Sequence, residues 1–258
     1  MAQKSSIEWT DATWNPVTGC TKVSAGCDNC YAATLANRLL SDIYLAKRPV
    51  VESPEATADP FALRLWPERL NDPIDWSKPR QIFVNSMSDL FHRDIPEEYI
   101  RSVFEVMLVA DWHTYQVLTK RPARASGFVA RNPDLFADGE VPAHIWLGTS
   151  VENQDVAYRI EHLRRVPAKT RFLSCEPLIG PIHTIDLTRI HWVIVGGESG
   201  IERRPVDPTW VRTLRDVCLE ADVPFFFKQW GGRTPKAGGR DLDGREWSQM
   251  PMRQLQVA

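Results

Sequence analysis

Three cysteines lie close together near the start of the chain and offer the most specific chemistry in the sequence. They are Cys20, Cys27 and Cys30, in the segment GCTKVSAGCDNCY with the spacing C-x6-C-x2-C. Thiolates are soft ligands that suit iron–sulfur clusters and zinc, and short spacing lets one loop wrap one site. A structural zinc site normally has four protein ligands. Because no fourth ligand is evident nearby, the segment favours a [4Fe–4S] cluster with one iron open to a small molecule.

Two other interpretations of these cysteines stand beside the cluster. One is zinc, with His92, Cys175 or a water as the fourth ligand. The other is three cysteines that bind no metal at all. Strand alternation turns Cys175 away from Ser174 and Glu176, which favours packing over ligation for this thiol. Cys218 falls on the apolar stripe of a helical segment and is expected in the core.

Glycines and charged side chains that follow apolar runs form a second set of candidates. In WVIVGGESG, Gly196 and Gly197 allow close approach of the backbone to a ligand, and Glu198 accepts from an amino or hydroxyl group. LTKRP places Lys120 and Arg121 where they neutralise a carboxylate or a phosphate. These five residues are predicted to bind cofactor or substrate, together with Asn85, Ser86, Ser150 and Glu152. Catalytic contacts are assigned to Glu176, Lys228 and Gln229.

The elements that must position these residues follow from the hydrophobic pattern. Continuous apolar runs predict strands buried on both faces, at 82–89, 115–122, 145–153, 171–178, 192–200 and 225–232. Helical spacing or composition predicts helices at 31–44, 97–110, 152–165 and 207–221. With a first strand in the region 12–19, this alternation predicts an α/β fold, a partial or full TIM-like (β/α) barrel that carries the cysteine loop near its N-terminus. Active sites of such folds lie at the carboxyl ends of the strands, where the candidate residues stand.

Composition limits the class of protein. The 258 residues are 43% hydrophobic and 25% charged, and 31 basic against 33 acidic residues give a net charge of −2. This balance is typical of a soluble globular protein and removes the usual reason to expect a strong non-specific nucleic-acid binder or a membrane-surface protein. No apolar run approaches the ~18–20 residues of a membrane span, and the N-terminus lacks the apolar core of a signal peptide. Five cysteines, an odd number, argue against a disulfide framework, so we expect a cytoplasmic protein.

The domain organisation is predicted to be simple. A single barrel domain covers 1–258, interrupted by a proline-rich excursion at 45–80. Glycine-rich residues at 231–258 are expected to form a loop or hairpin extension over the body.

Seven motifs, taken together, resemble those of a phage-associated three-cysteine-motif family of unknown function. They are, in order, IEWTDATWNPVTGCTKVSAGCDNCYA, NSMSDLFH, LTKRP, WLGTSVEN, FLSCEPL, VGGESG and FFKQWG. That family looks like a divergent branch of the radical S-adenosylmethionine (SAM) enzymes. The resemblance implies a partial TIM barrel in which Cys20, Cys27 and Cys30 hold a [4Fe–4S] cluster that binds SAM. Reductive cleavage of SAM then gives methionine and a 5′-deoxyadenosyl radical that abstracts hydrogen from a substrate.

The motif departs from the common radical-SAM pattern at defined points. The usual spacing is C-x3-C-x2-C, and Asn29 stands where an aromatic residue usually precedes the last cysteine. The order of the strands favours Asn85 and Ser86 over Glu198 as ligands of the SAM amino group. The implied partners are an unknown substrate, nucleic acid among the candidates, and a reductant such as a flavodoxin or ferredoxin, with no membrane. The rival functions are a zinc-dependent hydrolase or deaminase on the same barrel, and a metal-stabilised module that binds nucleic acid or a protein partner.

Overall fold

A computed structural model describes residues 3–251 of the chain. The strands are, in chain order, β1 (Gln3–Lys4), β2 (Ala12–Trp14), β3 (Val17–Thr18), β4 (Arg64–Leu65), β5 (Gln81–Val84), β6 (Thr114–Thr119), β7 (Val141–Ser150), β8 (Ala168–Cys175), β9 (Trp192–Gly196), β10 (Phe225–Gln229), β11 (Asp241–Leu242) and β12 (Arg245–Glu246). The helices are α1 (Tyr31–Arg38), α2 (Ser41–Leu45), α3 (Pro54–Ala58), α4 (Glu97–Val109), α5 (Pro122–Arg131), α6 (Arg159–Arg164) and α7 (Pro208–Glu220).

Eight of these strands form one curled sheet, in the order β1-β2-β5-β6-β7-β8-β9-β10. The edge strand β1 runs antiparallel to β2, and every other neighbouring pair is parallel. The seven parallel strands follow chain order, as the strands of a (β/α) barrel do. Since β1 and β10 are the two edges of the sheet, the described part of the chain forms an open half-barrel. The predicted α/β class and the partial barrel are therefore confirmed.

The two faces of the sheet carry different side chains, because residues alternate along each strand. The convex face belongs to the large core, which includes Val117, Leu173 and Val195 and packs against the helices. The concave face carries a separate cluster of large rings, namely Trp9, Phe83, Trp146, Phe172, Trp192 and Phe226. This aromatic floor occupies the half-barrel below the carboxyl ends of the strands, so the space at those ends has an apolar base.

Helices α4 and α7 begin where the sequence predicts, and the residues at their starts explain why. At α7 the side chain of Asp207 accepts a hydrogen bond from the Thr209 N–H, and Pro208 occupies the first helical position. At α4 the N-cap is Pro96, and two glutamates in the first turn suit the positive end of the helix dipole.

Several predicted elements differ from the structure. The helix expected over 31–44 is divided into α1, which ends at Arg38, and α2, which begins at Ser41. The region 12–19, expected to hold the first strand, contains β2 and β3. The strand expected at 82–89 ends at Val84, because Asn85 adopts a left-handed backbone conformation with φ 58°. The helix expected over 152–165 is split into a 3-10 turn, Gln154–Val156, and the short helix α6.

Outside the sheet, the two smaller strand pairs lie in the regions that interrupt the alternation. Strand β4, within 45–80, pairs with β3 next to the cysteine loop. Strands β11 and β12 form a hairpin within the expected C-terminal extension, of which 252–258 lie outside the described residues. Within 3–251, none of the helices has both the length and the apolar character required to cross a membrane.

The packing of the aromatic floor requires glycine at position 148 in β7. A Cβ atom at this position would lie 2.4 Å from the ring of Phe172 on the neighbouring strand. We expect Gly148→Ala to lower the free energy of unfolding by about 1–3 kcal/mol, the usual cost of overpacking a core, in urea denaturation followed by circular dichroism. Gly127→Ala in α5 is the control, since its Cβ meets only the flexible end of Arg131. Equal stability of the two variants would contradict this account of the floor.

Candidate functional site

The cysteine loop, residues 20–30, leaves β3 and leads directly into α1. At its start, Gly19 N–H donates to the Met87 carbonyl at 2.9 Å, and Cys20 N–H donates to the Phe61 carbonyl at 3.2 Å. The middle of the loop forms a 3-10 turn that ends at Cys27, and Cys30 is the N-cap residue of α1. All three cysteines are free thiols and are partly exposed.

The end of β6 contacts the first part of the loop through Arg121. Its Nη1 donates to Asp89 Oδ2 at 2.8 Å and lies 3.6 Å from the Sγ of Cys20. Its Nη2 donates to the carbonyl of Thr21 at 3.0 Å. Asp89 also accepts from the hydroxyl of Thr119 at 2.7 Å, so the guanidinium is held in place by a carboxylate that is itself fixed.

The end of β7 contacts the middle of the loop through Glu152, whose side chain is 1% exposed. Glu152 Oε1 forms an ion pair with Lys120 and accepts from the Ser24 hydroxyl at 3.0 Å. Glu152 Oε2 accepts from Arg159 Nη1 at 2.9 Å. A Cβ atom at Gly26 would lie 2.4 Å from the Glu152 Cγ, so the loop needs glycine there to approach this carboxylate.

The end of β9 contacts the last part of the loop through Glu198. Its carboxylate accepts from the Asn29 amide at 2.9 Å and from Arg204 Nη2 at 2.6 Å. The same Arg204 nitrogen donates to the Ala25 carbonyl of the loop at 2.9 Å. The loop is thus hydrogen-bonded to the ends of three strands that are spread across the sheet.

The end of β5 contacts the start of α1 instead. The hydroxyl of Tyr31, the residue after Cys30, donates to the carbonyl of Ser86 at 2.5 Å. Asn85 accepts from the Val17 N–H at 3.2 Å, while its buried Nδ2 has no partner among the described residues.

A further ion pair lies on the concave wall, between the aromatic floor and the mouth. Lys228 Nζ of β10 is 3.2 Å from Glu176 Oε1, and the Ser174 hydroxyl donates to Glu176 Oε2 at 3.3 Å. A Cβ atom at Gly196 would lie 2.7 Å from Glu176 Oε1, which explains the small residue on β9. In the described part of the chain this pair makes no hydrogen bond or ion pair to the cysteine loop. This ion pair is therefore not among the contacts that hold the loop.

The structure also places the remaining predicted site residues. Ser150 lies opposite Ser174 in the register of β7 and β8, and its carbonyl accepts from Arg159 Nη1 at 3.0 Å. The amide of Gln229 donates to the Gly197 carbonyl at 3.1 Å and to the Ser199 hydroxyl at 2.8 Å. Both amide hydrogens of Gln229 are therefore used to hold the turn that follows β9.

The charged groups keep the two anchoring glutamates ionised. Burial raises the pKa of Glu152, but Lys120, Arg159 and the Ser24 hydroxyl outweigh it and hold that pKa below its ordinary value. Burial likewise opposes ionisation of Glu198, while hydrogen bonds from Arg204 and Asn29 lower its pKa overall.

The thiol of Cys20 behaves differently. Burial, helped by the charge of Asp89, raises its pKa to about 11 against the opposing effect of Arg121. This thiol must lose its proton when a metal binds, and metal binding drives that loss.

Zinc and a [4Fe–4S] cluster require different arrangements of donor atoms. Among residues 3–251, no three Cys, His, Asp or Glu side chains converge in the way that a single ion needs. Of the expected fourth zinc ligands, His92 faces the cysteine loop, but both of its ring nitrogens are engaged, by the Thr21 hydroxyl and the Asp94 N–H. Cys175 is buried in the core. A [4Fe–4S] cluster has a different requirement, because each cysteine ligand binds a different iron.

Comparison with known proteins places the chain in a family. Residues 4–251 match the family described as "Protein of unknown function (DUF5131)". The chain belongs to this family. The prediction of a family of unknown function is confirmed, whereas phage association and kinship with the radical SAM enzymes stay predictions.

Two further comparisons were made. No curated protein matches the sequence. Among solved structures, a spore photoproduct lyase complexed with dinucleoside spore photoproduct is similar, with a TM-score of 0.44 and 12% identity. The alignment covers 77% of this chain and 58% of that one, so this chain spans little more than half the length of the lyase.

Sequence reasoning missed the partners that fix the loop. Ser24 and Asn29 lie between the cysteines, and Arg204 and Arg159 follow the strand ends at β9 and β7. The polar residues between the three cysteines were the available signal, because a loop that only wrapped a metal would not need them.

Glu152→Gln tests the anchoring of the loop. The change removes the negative charge between two buried or half-buried cations, Lys120 and Arg159, and breaking a buried ion pair costs about 3–5 kcal/mol. We expect a loss of that size in urea denaturation. Glu220→Gln, at the exposed end of α7, is the matched control and should change stability little. A loss no larger than that of the control would contradict the anchoring role.

The lowered pKa values of Glu152 and Glu198 predict that the folded protein loses stability in acid. A glutamate whose pKa is lower in the folded chain than in the unfolded one contributes stability above the unfolded value of about 4.3. That contribution disappears as the pH falls below the pKa of the unfolded chain and through the pKa of the folded chain. We therefore expect unfolding midpoints to fall steeply below about pH 4.3, and less steeply in Glu152→Gln. Parallel curves for the two proteins would show that Glu152 does not contribute.

Proposed function

We propose that this chain is a radical-SAM-like [4Fe–4S] enzyme, in which Cys20, Cys27 and Cys30 hold the cluster. The observation that carries the proposal is the position of the cysteine loop. Three free thiols lie on one loop that is bonded to the carboxyl ends of β6, β7 and β9, where active sites of (β/α) folds lie.

The surroundings of the thiols support an anionic cluster. Cys30 precedes the first turn of α1, whose free N–H groups and dipole favour negative charge. The guanidinium of Arg121, 3.6 Å from the Cys20 Sγ, adds a cation on the other side of the loop. Polar groups next to the sulfur ligands are among the means by which proteins tune such clusters.

A [4Fe–4S] cluster held by Cys20, Cys27 and Cys30 would supply the electron for the reductive cleavage of SAM. The residues of this chain bind and orient the ligand. Lys228 donates to a carboxylate of the bound ligand, and Glu176 accepts from its ammonium or hydroxyl groups. The aromatic floor beneath this pair excludes water from the amino-terminal side. Arg121, Glu152 and Glu198 act as positioning residues for the loop. The electron donor is proposed to be a flavodoxin or ferredoxin.

Cysteine substitutions test the ligand set. After anaerobic reconstitution, we expect about four irons per wild-type chain. Cys20→Ser, Cys27→Ser and Cys30→Ser should each lose most of the iron and of the visible absorption, because each removes one of three ligands.

Cys218→Ala is the matched control, since its thiol is buried on α7 and away from the loop. It should keep the iron of the wild type. Iron that survives Cys30→Ser would overturn the ligand set. A colourless protein with one equivalent of zinc would overturn the cluster itself and favour the hydrolytic alternative.

A further inference from the structure

A groove opens beside the cysteine loop, between the segments that follow β9 and β10. It has a volume of about 480 Å³, within the range of about 300–1,000 Å³ that is usual for ligand sites. Glu198 and Arg204 line it, and both also hydrogen-bond to the cysteine loop. The groove and the loop therefore share a wall, so a ligand in the groove would lie next to the proposed cluster.

The groove is positively charged. Its charged lining residues are Glu198, Arg203, Arg204 and Arg233, and Glu198 neutralises only Arg204. Arg203 donates to the Gly200 carbonyl at 3.3 Å, and neither Arg203 nor Arg233 has an acidic partner among the described residues. Both side chains are exposed, and two free guanidinium groups at one groove match the geometry of phosphate oxygens.

The floor of the groove is made largely of backbone. The Gly200 N–H donates to the Gly232 carbonyl at 2.9 Å, which ties the two segments together. A Cβ atom at Gly231 would lie 2.1 Å from the Glu198 carbonyl oxygen, so only glycine allows this approach.

An aromatic wall completes the groove. Trp230 is half-buried, and its orientation is fixed by a hydrogen bond of 2.7 Å from its indole N–H to the Asp241 carbonyl. Its ring also packs edge-on against Phe227 at 4.7 Å. Cations together with a fixed aromatic ring are the combination by which proteins bind single-stranded nucleic acid, through phosphate contacts and base stacking.

We propose that this groove binds a single-stranded segment of nucleic acid, with phosphates at Arg203 and Arg233 and a base against Trp230. The proposal rests on the proposed function in one respect, because it makes a polynucleotide the substrate class of the same site. The overall charge of −2 is compatible with it, since the positive charge that binds phosphates is local to this groove.

The test measures binding rather than turnover. Fluorescence anisotropy of a labelled single-stranded oligonucleotide is recorded with the full-length, reconstituted protein at 50–200 mM salt, roughly the range over which phosphate contacts change affinity most visibly. We expect Arg203→Ala combined with Arg233→Ala to weaken binding at least tenfold. The slope of log K against log salt should fall by about 0.7 for each arginine removed.

Arg165→Ala is the matched control. Arg165 is also exposed and without an acidic partner among residues 3–251, but it follows α6 at the amino-terminal end of β8. This variant should bind as the wild type does. Iron content and melting temperature of all variants are measured in the same preparations, so that loss of the cluster or of the fold is distinguished from loss of the groove.

Four outcomes would overturn the proposal. The first is that no oligonucleotide binds at 50 mM salt, roughly the low end of that range, and the second is that the double variant binds as tightly as the wild type. The third is that a mononucleotide competes as effectively as the oligonucleotide. The fourth is that an acidic polypeptide binds equally well. The third would indicate a nucleotide site and the fourth a protein partner. A protein that binds the oligonucleotide but no iron would leave the groove assignment standing and contradict the proposed function alone.

Discussion

The carboxylate of Glu152 is buried at the end of β7, and its charge must be compensated where it lies. Lys120 and Arg159 supply the compensation from β6 and α6, and Ser24 supplies a hydrogen bond from the cysteine loop. A buried carboxylate left without these partners would be strongly unfavourable. The position of the loop is therefore coupled to the electrostatics of the sheet, and Glu198 and Arg121 repeat the same arrangement at β9 and β6. The thiols are held over the mouth of the half-barrel because the loop is hydrogen-bonded to the side chains that follow these strands.

The framework was largely predictable from the sequence. Runs such as WVIVG and FFFKQ are apolar on both faces, which only a parallel sheet covered by helices accommodates, and the Asp207–Pro208 pair marks the start of α7 without ambiguity. The failures are local. Asparagine is one of the few residue types other than glycine that readily adopt a positive φ, but the apolar run continues past Asn85, so the hydrophobic pattern did not show that its strand ends early at φ 58°.

The site was predictable as a set of residues but not as a set of contacts. Strand-end position grouped Lys120, Glu152 and Glu198 and predicted that they bind ligands, which stays a prediction. It did not predict the hydrogen bonds that link Glu152 and Glu198 to the cysteine loop. Periodicity reports which face a side chain is on, whereas pairing across more than a hundred residues, as between Asn29 and Glu198, depends on how the sheet curls. The groove could not be predicted for the same reason. Arg203 and Arg233 are separated in the sequence by α7 and β10, and only the fold brings both to the lining of one groove.

The central claim is that the cysteine loop holds a cluster with one iron open to SAM. Electron paramagnetic resonance of the anaerobically reconstituted, dithionite-reduced protein, recorded with and without SAM, tests it most directly. The account predicts a [4Fe–4S]⁺ signal whose g values shift when SAM is added. A cluster signal that SAM leaves unchanged, or the absence of any iron signal, would contradict it.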